Sequence, residues 1–164
     1  MTTLPLIELR PESADDAEFL YDVYASTRQQ ELMATGWDAE QKAQFLRMQF
    51  QAQHSFYHAQ FPNAQYNVLL QGGEPIGRLY VDRRETELRI LDIALLPPFC
   101  NQGLGTQLIQ QLMLEAAGQG VPLSLHVETF NRARTLYGRL GFTEVQNDGL
   151  YILMEWKPVK RHRS

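Results

Sequence analysis

The stretch LDIALLPPFCNQGLGTQL, residues 91–108, decides how this chain is read. It opens on apolar residues Leu91, Ile93, Ala94, Leu95 and Leu96 and stops at Pro97 and Pro98, which have no amide hydrogen to continue a ladder, so it reads as the end of a strand. Asn101, Gln102, Gly103, Leu104 and Gly105 then make a glycine-bearing loop. Leu104, Leu108, Ile109, Leu112, Met113 and Ala116 recur at helical spacing, so a helix starts near Gln102 and stops at Gly118 and Gly120. The first amide hydrogens of a helix lack an intrahelical acceptor and lie at the positive end of its dipole, so this junction can hold a phosphate without basic side chains. Two common phosphate motifs do not fit. A Walker loop needs a lysine where Gly105 leads straight into Thr106, and the dinucleotide fingerprint needs a third glycine where Leu108 stands. A tight turn alone would also use the glycine pair.

Working outward, residues 88–96 form the strand before the loop, and the hairpin 66–70 and 75–81, turned at Gln71, Gly72 and Gly73, precedes it. Residues 7–10 read as a short strand. Asp15 and Asp16 stand where an N-cap belongs for a helix carrying Phe19, Leu20, Val23 and Tyr24. Asp38 can cap a long helix towards His58, with Phe45, Met48 and Ala52 on one side and Phe50, His54, Tyr57 and Phe61 on another. Both rows suit a core, and the aromatic row also suits a pocket. Downstream, Leu123, Leu125 and Val127 alternate with Ser124, His126 and Glu128 as a strand, and Ala133, Leu136, Tyr137 and Leu140 make a helix stopped by Gly141. Residues 142–145 and 150–156 close the chain as a hairpin around Asn147, Asp148 and Gly149. The fold class is α/β in the α+β sense, a mixed sheet flanked by helices.

With 164 residues, 44% apolar and 21% charged, the chain suits one domain over residues 1–156 followed by a basic tail, 157–164. Net charge is −4, yet four basic residues and no acid fall in the last eight positions, so residues 1–156 carry −8. Such a body argues against nucleic acid and suits a cationic partner, although it also serves solubility. No span of membrane length and no basic-then-apolar leader is present, so the expectation is a cytoplasmic protein without a membrane partner. The single Cys100 excludes an intramolecular disulfide and a cysteine-built zinc cage. No metal is expected.

Residues 91–97 with Gln102, Gly103, Leu104, Gly105 and Thr106 resemble the acetyl-CoA-binding motif of the GCN5-related N-acetyltransferases, R/Q-x-x-G-x-G/A. The resemblance continues through Asn131, Arg132, Ala133, Leu136, Tyr137, Gly141 and Phe142, and the element order from Ile7 to Trp156 is similar throughout. It implies a central, mostly antiparallel sheet with a splayed parallel pair and an acetyl-CoA cosubstrate. Backbone of Ile93, Ala94 and Leu95 would pair with the pantetheine arm, and the turn from Cys100 through Asn101, Gln102, Gly103, Leu104, Gly105 and Thr106 would hold the pyrophosphate. Cys100 stands where the family carries arginine or glutamine, which removes a side-chain contact and leaves the backbone amides.

The resemblance further implies that an amine attacks the thioester directly. An alkylamine of pKa ~10.4 is almost wholly protonated at neutral pH, so a base or water chain must take a proton. Asp92, of opposite parity to Leu91, Ile93 and Leu95, is the first candidate, against a structural carboxylate; Glu128 follows, then Glu87 and His126. Tyr137, core by periodicity, takes from the resemblance the role of acid to the departing thiolate, and Asn131 that of a pantetheine ligand beside its plain reading as a helix cap. The acceptor, an amine-bearing small molecule or peptide, would meet the aromatic and apolar set Met33, Trp37, Phe50, His54, Tyr57 and Tyr80. A non-catalytic acyl-CoA-binding module is the rival reading, and a homodimer stays open.

Overall fold

A computed structural model describes residues 6–159. The chain divides into two compact units, Met1–Tyr80 with Asp92–Gln102, and Val81–Leu91 with Gly103–Ser164. The first contains strand β1 (Ile7–Pro11), helix α1 (Ala17–Met33), helix α2 (Ala39–Gln60) and strand β2 (Gln65–Gln71). Strands β3 (Glu74–Arg83) and β4 (Leu88–Leu95) each contribute residues to both units. The second continues with α3 (Leu104–Gln119), β5 (Leu123–Glu128), α4 (Ala133–Arg139), β6 (Thr143–Asn147) and β7 (Tyr151–Trp156). The strands make one seven-stranded mixed sheet in the order β1-β2-β3-β4-β5-β7-β6, with β4 and β5 as its parallel pair. The expected mixed fold is therefore present.

In the first unit β1 pairs antiparallel with β2, from Ile7 opposite Gln71 to Pro11 opposite Asn67. Pro11 is tolerated because β1 is an edge strand and Pro11 is its last residue. Leu20, Tyr21, Tyr24 and Leu32 of α1 close a core with Leu46 and Phe50 of α2 and Val68 of β2. Phe50 meets Tyr21 edge to face at 5.9 Å, the arrangement that ring quadrupoles favour.

The two-sided reading of α2 needs correction. Met48 is 62% exposed and Ala52 is exposed as well, whereas Leu46 and Phe50 are the buried pair. The face towards α1 and β2 runs through Leu46 and Phe50, with Phe45 half-buried beside them, whereas Met48 and Ala52 turn to solvent. Asp38 caps α2 as expected, accepting from Gln41 N at 2.8 Å, while Gln41 Oε1 accepts from Asp38 N.

Asp16 stands at the N-cap position of α1, as expected, but its side chain does not cap that helix. A single 3₁₀ turn, Ala14–Asp16, comes first, and the Asp16 carboxylate turns back to accept from Ser13 N at 2.8 Å and from two Arg10 nitrogens at 2.9 Å. The hydrogen bond from Arg10 is the largest cause holding the Asp16 pKa down to about 2, against a burial penalty that pushes it up. A carboxyl depressed in the folded state adds stability above its unfolded pKa of ~3.9, and that stability is lost as pH falls through about 2. Asp16→Asn is expected to cost about 1 kcal/mol at pH 7, a discounted figure because Arg10 is 40% exposed to water. Urea melts of both proteins check it: the difference should shrink as pH drops below ~4, and a pH-independent difference would reject the ion pair as its source.

In the second unit α3 buries Leu104, Leu108, Ile109, Leu112 and Ala116, and β5 buries Leu123, Leu125 and Val127. The helix begins at Leu104 rather than near Gln102 because Gly103 has a left-handed backbone, φ 81°. It stops at Gly120, again left-handed. β5 pairs antiparallel with β7, and β7 with β6 across a bulge between Glu144 and Gln146, which lengthens β6 to Asn147. No helix among the described residues is long and apolar enough to cross a membrane. Of the basic tail, Lys157 lies 3.6 Å from Glu155, and Lys160, Arg161 and Arg163 fall outside the described residues.

Candidate active site

The junction that opened the sequence reading has an uncapped helix start. No side chain caps α3, and its first bond of α-helical span is Gln107 N to Gly103 O at 3.0 Å. The amides of Gly103, Leu104, Gly105 and Thr106 thus precede the helical ladder, where a helix leaves donors without intrahelical acceptors. Asn101 has φ 61°, the only positive value among described residues other than glycine. Apart from its chain neighbours and the backbone of its own helix, no atom lies within 4 Å of where a Cβ on Gly105 would stand, so this glycine faces open space rather than a packed neighbour. The turn before it is tied down: Gln102 Nε2 donates to Pro98 O at 2.7 Å. Cys100 is exposed, its thiol set against Leu95 O at 3.4 Å, and burial of the sulfur pushes its pKa up, away from a reactive thiolate.

Also in the second unit, Tyr137 is 7% exposed on α4, its ring 5.7 Å from that of Phe142. Asn131 Oδ1 accepts from Ala133 N at 2.9 Å, the capping role that its plain reading gave. Two of the weaker base candidates are engaged in a network: Glu87 accepts from Arg84, Arg89 and the buried Ser124, and Arg89 reaches Ser124 Oγ at 2.8 Å. Burial, and then the charge of Arg89, lower the pKa of His126. The parallel register pairs Leu88, Arg89 and Ile90 with Leu123, Ser124 and Leu125, three of the eight residues of β4.

In the first unit Ile93, Ala94 and Leu95 follow on β4, with Ala94 buried. β3 approaches them so closely that a Cβ on Gly77 would collide with Ala94 O. Asp92 forms an ion pair with Arg78, whose side chain is only 4% exposed and also donates to Gln53 Oε1 at 2.9 Å. Burial works against the Arg78 charge, but the charge of Asp92, with the hydroxyl groups of Tyr80 and Tyr57, prevails and its pKa is raised. The ion pair favours the structural reading of Asp92 that stood beside the catalytic one. Sequence reasoning missed Arg78, although a lone arginine between Ile76 and Tyr80 on a buried strand was a usable signal.

The structure separates the acceptor set into two groups. Phe50 and His54 form one ring pair at 6.2 Å and Tyr57 and Tyr80 another at 6.0 Å, and the two pairs are joined through His58 and Tyr66. Phe50 and Tyr80 are buried, so they back the group rather than front it. Trp37 instead packs on Phe45 at 5.2 Å, and Met33 is 75% exposed. Glu12 and His58 join the first group unannounced by the sequence reading: Tyr80 Oη donates to Glu12 Oε2 at 2.7 Å, and His58 Nε2 lies 3.2 Å from Glu12 Oε1. The spacing His54-x-x-x-His58, one turn of a helix, was the available signal.

A mixed sheet with one parallel pair and an uncapped, glycine-bearing helix start is the geometry on which the comparisons bear. The profile of the Acetyltransferase (GNAT) family matches residues 20–142, and the chain belongs to that family. A comparison with curated protein sequences finds no match. Among solved structures, the PaiA N-acetyltransferase of Thermoplasma acidophilum in complex with coenzyme A is similar at 20% identity and TM-score 0.68, covering 93% of this chain and 99% of that one. An acetyltransferase from Thermus thermophilus is 22% identical with TM-score 0.66, over 96% and 99% of the two chains. The ribosomal-protein-S18-alanine N-acetyltransferase of Escherichia coli is 22% identical with TM-score 0.63, over 96% and 97%. At these identities the likeness shows the fold.

Proposed function

We propose that this chain transfers the acetyl group of acetyl-CoA to a primary amine by direct attack within a ternary complex. The observation that carries the reading is the α3 start, with Gly103 left-handed, no side-chain cap and open space at Gly105. Amides of Asn101 to Thr106 hold the pyrophosphate, which an acidic body would otherwise repel. Backbone groups of Ile93, Ala94 and Leu95 take the pantetheine arm, for which the short parallel register leaves most of β4. With Cys100 supplying no charge, main-chain donors carry this anion.

Tyr137 protonates the departing CoA thiolate, and the amine gives up its proton to a base or water chain on the β4 side, where Asp92 is the carboxylate of the motif strand. The acceptor presents its ammonium group and a hydrophobic body to the group around His54, Tyr57 and Tyr80, with Trp37 and Met33 at a second contact. An amine of that kind suits the aromatic rings and the negative charge of residues 1–156.

Thermal denaturation with and without acetyl-CoA, paired with a thiol-release assay over an amine panel, tests the proposal. Acetyl-CoA at about 100 times its dissociation constant is expected to add ~2.7 kcal/mol of stability. Thiol release with at least one primary amine is the expected second result. No thermal shift would overturn the cofactor assignment, and a shift without turnover on any amine would favour a non-catalytic acyl-CoA sensor.

A further inference from the structure

Glu12, His54 and His58 lie in the first unit with their ligand atoms all within 4.8 Å of one another, and acetyl transfer as proposed gives Glu12 and His58 no role and His54 only a place among the rings facing the acceptor. We propose that they form a binding site for one divalent transition-metal ion of the Zn²⁺ class, with two imidazole nitrogens, one carboxylate oxygen and a fourth position open to a water or an anionic ligand.

The argument begins on the helix. His54 and His58 are four residues apart on α2, so both imidazoles project from one face, and their ring centroids are 4.3 Å apart. The same spacing lets two histidines on a helix share a zinc ion in other proteins. Glu12 comes from the connection after β1, and its Oε1 already stands 3.2 Å from His58 Nε2. Ligands ~2.0–2.2 Å from a tetrahedral zinc are about 3.4 Å from each other, so the remaining adjustment is a small rotation of side chains.

Groups behind the ligands hold them in place. Tyr80 Oη donates to Glu12 Oε2 at 2.7 Å, which fixes the carboxylate and leaves Oε1 for the ion. The Tyr66 ring stacks on His58 at 4.0 Å and 19°, and Tyr66 Oη donates to Tyr57 O and Phe61 O at the end of α2.

Selectivity follows from the donor set. Two nitrogens and one oxygen suit zinc and its neighbours, whereas magnesium and calcium prefer oxygen alone. A cavity of about 810 Å³, lined by all three ligands together with Leu9, Phe50 and Tyr66, gives the ion an entry path and room for the fourth ligand. The cation would tie the last turns of α2 to the segment after β1. This inference does not depend on acetyl transfer.

Untagged, chelator-stripped full-length protein titrated with ZnCl₂ in a calorimeter tests the site. The expected result is one Zn²⁺ per chain, with Glu12→Gln, His54→Gln and His58→Gln each weakening binding at least about tenfold, since even the supporting shell of a metal site is worth about 10–100-fold. His126→Gln should bind as the parent protein does. Loading with Co²⁺ should give the intense visible bands of a four-coordinate site, lost in His58→Gln. Circular dichroism in chelator checks folding, and Tyr80→Phe, which removes only the hydroxyl behind Glu12, is expected to weaken Zn²⁺ and stands in for any ligand variant that does not fold. Less than one Zn²⁺ per chain, or unit stoichiometry that survives His54→Gln/His58→Gln, overturns the proposal.

Discussion

Tyr137→Phe is expected to lower turnover about 100-fold or more while acetyl-CoA affinity changes little. A positioned general acid contributes ~10²–10⁴-fold, and the group leaving here is a thiolate that must be protonated as the C–S bond breaks. A tyrosine hydroxyl is a hydrogen-bond donor that can supply that proton. The substitution is well suited to the question because Tyr137 is 7% exposed and packs on Phe142, so phenylalanine keeps the ring contact and removes one hydroxyl. A loss made only in the transition state lowers kcat and kcat/KM together. Steady-state kinetics with thiol detection, beside a thermal-shift titration of acetyl-CoA, separates that pattern from lost binding. Unchanged turnover would reject Tyr137 as the acid. A large rise in the KM for acetyl-CoA with constant kcat would move Tyr137 to the binding role alone.

The fold was legible where periodicity and punctuation agreed. Pro97 and Pro98 ended β4 close to where the sequence placed the stop, and Gly120 ended α3. Legibility failed where a local choice was settled by a distant partner. Asp16 has the composition of a helix cap, but Arg10, six residues earlier, takes its carboxylate and a 3₁₀ turn intervenes. Met48 has the spacing of a core residue, yet only one side of α2 finds α1 and β2 to pack on. Periodicity records which residues share a face and carries no record of how many faces are covered.

The candidate site was legible in its backbone half and opaque in its side-chain half. Glycines and a helix start are consecutive in sequence, so residues 100–106 could be read directly. Glu12, Gln53, His54, His58, Arg78, Tyr80 and Asp92 come from separate segments of the first unit, and their hydrogen bonds depend on strand pairing that no local pattern encodes. Asp92 shows the difference: parity on β4 marked it as distinct from its apolar neighbours, and only β3 revealed that its partner is a buried arginine.

That partnership makes Asp92→Asn the substitution expected to cost most in stability, about 3–5 kcal/mol. Arg78 has a side chain 4% exposed, with the faces of Tyr80 and Tyr24 at 5.1 and 6.0 Å from its guanidinium, and Gln53 offers it a neutral acceptor. Removing the carboxylate leaves a buried charge with no counter-ion, which is more damaging than the pair was stabilising, because both ions lost hydration when they were buried together. Arg78→Met/Asp92→Leu removes both charges and should therefore recover much of the loss seen in Asp92→Asn, a non-additivity that denaturant midpoints measure directly. A double variant destabilised by the sum of Arg78→Met and Asp92→Leu taken singly would show that the pair is not coupled. The same double variant separates the two readings of Asp92, since it can be assayed where it is fully folded. Retained turnover with a primary amine would assign the carboxylate to holding Arg78 in place and leave proton removal to a water chain. Loss of turnover, with the acetyl-CoA thermal shift intact, would support Asp92 as the base, because the cofactor would still be bound and only the step that frees the amine lone pair would have been removed.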